Sequence, residues 1–251
     1  MISHAYIQEY GNGKMEPEHQ SLLHELKKRN VQTELFTAKR LQRNQLNLNE
    51  QTLVVGDHPT IRSVFKRLGI NYSLTSYPKS LWPFMQRKIW ETTAKTLFER
   101  SMVCEPGPIF IKPKYQAKLF TGFLAHTSQD LFILNQVPKD TVLYCSTPVE
   151  WAAEFRLFVH KGQIIGIKNY NGNPNLAVDS NTVQAAINAF SIAHPEITAC
   201  SFDFGLLTSG ETALVEWNDA FALGSYDLDP QLYTDLIITR WEELIRTATK
   251  L

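Results

Sequence analysis

Ser201-Phe-Asp-Phe-Gly205 and Leu214-Val-Glu-Trp-Asn-Asp219, with Thr208-Ser-Gly-Glu211 between them, decide how this chain reads. Both arms are apolar and β-prone, and Ser209-Gly210 suits the centre of a two-residue hairpin turn. With that turn Thr208 pairs with Glu211, and counting outward sets Asp203 opposite Glu216. Asn218 lies two residues beyond Glu216 and so shares its face. One sheet face then carries two carboxylates and an amide oxygen. A hard divalent cation, Mg2+ or its relative Mn2+, takes such oxygens, with nucleotide phosphates in its remaining positions. On spacing alone, an ordinary hairpin with a polar outer face fits equally well.

Composition narrows the classes. At 251 residues the chain can form one large domain or two small ones. Lys plus Arg (25) balance Asp plus Glu (25), so no net field argues for nucleic acid or an anionic membrane. No run reaches transmembrane length and no signal pattern opens the chain, so a cytoplasmic location is expected. Cys104, Cys145 and Cys200 are scattered without metal-type spacing and read as reduced core thiols. The 7 histidines form no HxH or HExxH pattern, which argues against zinc.

Along the first part of the chain, strand and helix patterns alternate. Strands are expected at 5–10, 33–36 and 52–55, and helices at 16–28 and from Pro59 to Gly69, with Pro at the start and Gly at the stop. This is a small β-α-β layer of the doubly wound kind. Asp57, His58 and Thr60 at that last helix's N-terminus either hold an anion or act as ordinary caps. Residues 72–83 read as a linker and 82–99 as one long helix. From Ile109 the pattern turns to strands near 109–112, 120–125, 141–145, 152–160 and 163–170. A helix near 180–193, the hairpin and a closing helix near 229–248 complete it. The fold class is α/β followed by a largely antiparallel α+β body.

Three further segments carry candidate chemistry. Pro108-Ile-Phe-Ile-Lys-Pro113 is a buried-type strand with a lysine at its end, which a core would not select. The loop Lys114-Tyr-Gln-Ala-Lys-Leu-Phe-Thr-Gly122 adds cations and a glycine, and such a loop can close over polyphosphate; two lysines near a turn are also an ordinary solvated surface. In Trp151-Ala-Ala-Glu-Phe-Arg-Leu-Phe-Val-His160, residues Glu154, Arg156 and Phe158 share a face, and Arg156 suits bidentate capture of phosphate or carboxylate. A two-residue turn at Lys161-Gly162 points Lys168 away from Arg156; a longer turn or a bulge points it the same way and adds it to the binding set.

Together these pieces resemble the ATP-grasp superfamily of carboxylate–amine ligases. The matching residues are Lys112, Lys118 to Gly122, a hinge at 143–150, and Asp203 with Val215-Glu-Trp-Asn218 as a terminal metal motif. Gly224-Ser-Tyr-Asp-Leu-Asp-Pro230 and Arg240-Trp241 look similar to a bacterial and phage branch, which tends to carry an arginine in the connecting helix; Arg87 is the candidate. The resemblance implies a pre-ATP-grasp α/β domain over residues 1–78, an N-lobe over 79–145 and a C-lobe with the metal site over 146–251. It implies ATP with Lys112 and Lys118 on its phosphates, adenine at the 143–150 hinge and Glu150 on the ribose. Arg87 and Arg156 complete the set, with Arg156 and Lys118 in catalytic roles and Asp203, Glu216 and Asn218 on one or two Mg2+ ions. The implied reaction turns a carboxylate into an acyl phosphate that an amine captures, on a small molecule, a peptide or a protein. Phosphoryl transfer asks mainly for alignment and charge neutralisation, consistent with the lack of a nucleophilic triad. A nucleotide-binding module without turnover and a kinase that stops at phosphoryl transfer are the alternatives.

Overall fold

The structure is a computed structural model that describes residues 2–72, 75–115 and 119–248. Its N-terminal layer is a parallel sheet in the order β2-β1-β3, formed by His4–Gln8, Gln32–Phe36 and Thr52–Val55. Helix α1 (Pro17–Lys28) and a short α2 (Ala38–Gln42) join these strands, and α3 (His58–Leu68) follows β3. The Asp57 side chain accepts from the Thr60 N–H, and Gly69 closes the helix at φ 68°. The cap therefore forms as its chemistry directs.

The long helix expected over 82–99 does not form. A 3-10 turn covers Lys79–Phe84, β4 covers Ile89–Thr93 and α4 covers Ala94–Ser101. Pro83 inside the first piece and the β-prone Ile89-Trp90-Glu91-Thr92-Thr93 run break the helical pattern. Strand β4 joins an antiparallel sheet in the order β4-β7-β5-β6, with β5 at Ile109–Pro113, β6 at Phe123–Ala125 and β7 at Val142–Ser146. This sheet packs on α4 and a 3-10 segment at Gln129–Gln136 around Ile111, Leu131 and Leu143.

The second antiparallel sheet runs β11-β10-β8-β9, from β8 (Trp151–His160), β9 (Gln163–Gly172), β10 (Ala199–Leu207) and β11 (Thr212–Asp219). One face buries Phe155, Leu157, Phe202, Phe204 and Trp217 under α5 (Ser180–Ala193). The alternating residues therefore emerge on the other face. Helix α6 (Pro230–Ala248) packs there and against the N-terminal layer, so Leu236, Trp241, Ile7 and Leu26 share one core. Trp241 Nε1 donates to the Thr52 carbonyl at 2.8 Å, and Arg29 bonds Asp235 at 2.5 Å, tying that layer to α6.

The hairpin register holds where it matters, by a different route. The turn puts Thr212 opposite Leu206, Ala213 opposite Gly205 and Leu214 opposite Phe204, one residue off the two-residue count. The Leu207 N–H donates to the Glu211 carbonyl and the Gly210 N–H to the Leu207 carbonyl, with Gly210 at φ 92°. This is the three-residue loop that carries its glycine at positive φ. A bulge then leaves Val215 unpaired and restores Asp203 opposite Glu216.

Candidate active site

Because β8, β9, β10 and β11 are in register, four charged side chains form one transverse row. Lys168 pairs with Arg156, Arg156 with Asp203, and Asp203 with Glu216. A bulge between Phe158 and Val159 brings Lys168 to the Arg156 side, so the second of its two orientations is the one realised. Asn218 stands two positions beyond Glu216, and its Nδ2 donates to Asp203 at 3.2 Å. From the facing sheet Lys112 reaches across the cleft, its Nζ 2.6 Å from Glu216.

The row is self-neutralised. Arg156 grips Asp203 with two parallel hydrogen bonds of 2.8 and 2.6 Å, in the fork geometry that arginine favours. The Asp203 side chain is only 3% exposed and that of Arg156 10%. Burial pushes the Asp203 carboxyl up to about 6, against the downward pull of the guanidinium. Burial works in the same direction on Glu216, but Lys112 outweighs it and holds that carboxyl below its ordinary value. Burial alone would lower Lys112, yet Glu216 keeps its ammonium charged. Tyr226 lies over Arg156, 4.4 Å from ring centroid to guanidinium carbon, and packs against Tyr170 at 5.8 Å. Tyr226 and Asp227 both sit at positive φ (46° and 58°), a conformation that costs energy in non-glycine residues.

Two cavities flank the row. One, of about 340 Å³, is lined by Lys112, Lys114, Arg62, Glu216 and Asn218 among others. The second, of about 320 Å³, is a slot between the sheets walled by Tyr77, Phe110, Trp151, Glu154 and the 146–149 connection from β7 to β8. Phe110 lines both, so the two cavities adjoin.

Arg87 lines the slot and does a structural task there. It donates to the carbonyls of Leu214 (2.7 Å) and Val215 (2.8 Å), the residues of the β11 bulge, and to Met85. The guanidinium thus satisfies acceptors that the bulge leaves without ladder partners.

A family model for the ATP-grasp domain, the second family of its clade, matches residues 84–236. The chain belongs to the ATP-grasp family. With that assignment stands the two-lobed fold. No curated protein matches the chain in sequence. Among solved structures, the D-cycloserine synthetase DcsG superposes with a TM-score of 0.63 at 12% identity, covering 95% of this chain and 99% of that one. D-alanyl-alanine synthetase A from Vibrio cholerae gives 0.58 at 14%, covering 98% and 99%. The ATP-grasp ligase PsnB, complexed with a phosphomimetic precursor variant, Mg and ADP, gives 0.55 at 10%, covering 96% and 99%. At these identities the likeness is one of fold.

Within this ATP-grasp cleft, Asp203, Glu216, Asn218, Arg156, Lys168 and Lys112 come together, and Arg87 lines the adjoining slot. Glu150 does not join them: it is exposed, its carbonyl takes the Thr208 N–H, and Glu154 is the carboxylate in the slot wall. Glu154 accepts from Tyr170 (3.0 Å) and Asn171 (2.7 Å), so it forms no surface pair with Arg156. Lys118 lies outside the described residues. Lys114 occupies the cleft wall, bonded to Glu91 at 2.7 Å. Sequence reasoning passed over Tyr77, whose ring carries Lys112 at 4.5 Å and Arg87 at 5.5 Å. An isolated tyrosine in a linker gives no periodic signal, so only the fold reveals it.

Proposed function

We propose that the protein is an ATP-dependent ligase that activates a carboxylate as an acyl phosphate and joins it to an amine. A divalent metal, Mg2+ foremost, would be held by Asp203, Glu216 and Asn218. The observation that carries this reading is the transverse row of Arg156, Asp203 and Glu216 facing Lys112 across an interlobe cleft. The donor set fits a hard cation, being two carboxylates and an amide. Three side chains leave coordination positions open, which the oxygens of a triphosphate would fill. The metal, when bound, neutralises phosphate charge.

What the chain's own residues do follows from their present partners. Lys112 and Arg156, here paired with Glu216 and Asp203, would face phosphate oxygens in the loaded site, where those carboxylates would hold the metal, so that each charge would keep a partner. The slot by 146–149 suits the adenine, with strand-edge backbone for its rim and Tyr77 and Trp151 for its faces. The carboxylate oxygen bonds to the γ-phosphorus as the bond to ADP breaks. Attack of the amine on the acyl carbon then expels inorganic phosphate and releases a proton. The fold likeness to PsnB, seen with a precursor variant, supports testing peptide substrates beside amino acids.

The test is ADP release from ATP and Mg2+ over a panel of paired carboxylates and amines. Release that needs both partners supports the ligase. Release with a carboxylate alone points to a kinase, and ATP binding without release to a module. Glu216→Ala and Asn218→Ala are each expected to abolish metal-dependent turnover while leaving far-ultraviolet dichroism unchanged. Normal turnover in both would remove the metal assignment.

A further inference from the structure

The face of β10 and β11 that carries Asp203 and Glu216 continues one register step beyond them. Ser201 precedes Asp203 by two residues and so shares its face. It is paired directly with Asn218 of β11 on one side and with Phe158 of β8 on the other. Directly opposed residues of an antiparallel pair have Cβ atoms about 4.5–5.5 Å apart, a spacing that one serine–asparagine hydrogen bond can span. Ser201 is fully buried (0% exposed), and its Oγ has no hydrogen-bond partner among the described residues. A buried hydroxyl left unpaired is costly, and such a group calls for an explanation.

Asn218 supplies one. Its Nδ2 donates to Asp203, which lies diagonally across the ladder toward Glu216. That aims the NH2 group at the carboxylates with which Asn218 is to share a cation. A hard cation takes oxygen, and the amide nitrogen has only donors to offer. To serve as a ligand the amide must turn over, presenting Oδ1 on the side of Asp203 and Glu216. Its NH2 then leaves Asp203 and needs a new acceptor. The unpaired hydroxyl stands directly opposite.

We infer that Ser201 is a positioning residue for the metal site, its hydroxyl accepting from Nδ2 of Asn218 when the amide turns Oδ1 to the cation. The inference rests on the metal assignment of the ligase reading and adds the residue that orients one of the ligands. The hydroxyl is idle in one orientation of the amide and paired in the other. Outer partners of this kind hold metal ligands in the orientation that binding requires.

The test measures Mn2+ binding to the full-length protein, with free ion counted by electron paramagnetic resonance, beside urea unfolding without added metal. Ser201→Ala is expected to weaken Mn2+ binding about tenfold. Its unfolding midpoint is expected to stay at or above that of wild type, since a hydroxyl without a partner has no hydrogen bond to lose. In an Asn218→Ala background the same substitution is expected to leave Mn2+ affinity unchanged, because no amide remains to be oriented. Equal Mn2+ affinity in wild type and Ser201→Ala, a lowered midpoint, or a tenfold loss that persists beside Asn218→Ala would each overturn the role of Ser201 while leaving the metal assignment standing. Failure of the wild type to bind Mn2+ would overturn the assignment and the inference together.

Discussion

Replacing Arg156 by methionine isolates the pair on which the site is built. The substitution keeps an unbranched side chain but leaves Asp203, 3% exposed, without its cation. Breaking a buried pair in this way costs about 3–5 kcal/mol, because the uncompensated charge stays behind. A domain stable by about 5–15 kcal/mol loses a large share of its margin. Equilibrium urea unfolding of wild type, Arg156→Met, Asp203→Leu and the double variant measures the loss. The double variant is expected to recover most of it, since two apolar groups of similar volume replace the pair.

The pH dependence adds a signed check. Asp203 stands at about 6 in the folded protein against its ordinary 3.8. A raised carboxyl favours the folded state below the unfolded pKa, and that advantage fades as pH rises through 6. Without Arg156 the carboxyl rises further, so the deficit of Arg156→Met is expected to be largest at pH 8 and to shrink toward pH 5. A loss below about 1 kcal/mol, the range of an exposed pair, or simple additivity in the double variant, would refute the argument that this pair is buried and coupled.

Three further outcomes are expected. Arg87→Met removes two charge-assisted bonds to the bulge carbonyls and is expected to lower stability by about 2 kcal/mol and speed hydrogen exchange at Glu216 and Trp217; a change in ATP affinity with stability untouched would mean that the arginine serves the nucleotide alone. Gly205→Ala places a Cβ 2.3 Å from Cε3 of Trp151 and 3.1 Å from the Ala153 carbonyl, so a cost of about 1–3 kcal/mol by urea unfolding is expected. Burial pushes Cys145 and Cys200 to about 12 while Cys104 is exposed, so iodoacetamide at pH 8 is expected to label Cys104 alone by mass spectrometry.

Much of the layout was legible because local rules and tertiary context agree there. Thr52–Val55 and Ser180–Ala193 form where their patterns place them, and Asp57 caps α3 as its position directs. The 82–99 stretch misleads because Trp82, Phe84, Met85 and Ile89 fall at helical spacing, yet the edge of the sheet beside β7 captures Ile89–Thr93 as a strand. The helical spacing there yields to β-prone residues that find a tertiary partner. Glu150 misleads for a different reason: the hinge fixes where the chain crosses, but only the next strand's register decides which carboxylate faces the slot.

The β10–β11 hairpin shows why a pairing can be read correctly from an imperfect count. Side-chain facing depends on the parity of the offset between strands, and a one-residue slip inverts it. The turn of β10 to β11 contributes one slip and the bulge at Val215 a second, so the parity at Asp203 and Glu216 is the same as for a turn without either. Leu214, on the turn side of the bulge, faces the core, while Glu216 and Asn218 beyond it face the cleft. The bulge is therefore what converts a core-facing strand into a cleft-facing one, and its carbonyls rest on Arg87 from another sheet's approach. An arginine assigned to nucleotide by resemblance thus sets the geometry of the acids opposite, a coupling that lies 127 residues apart in the chain for Leu214 and is invisible to any local pattern.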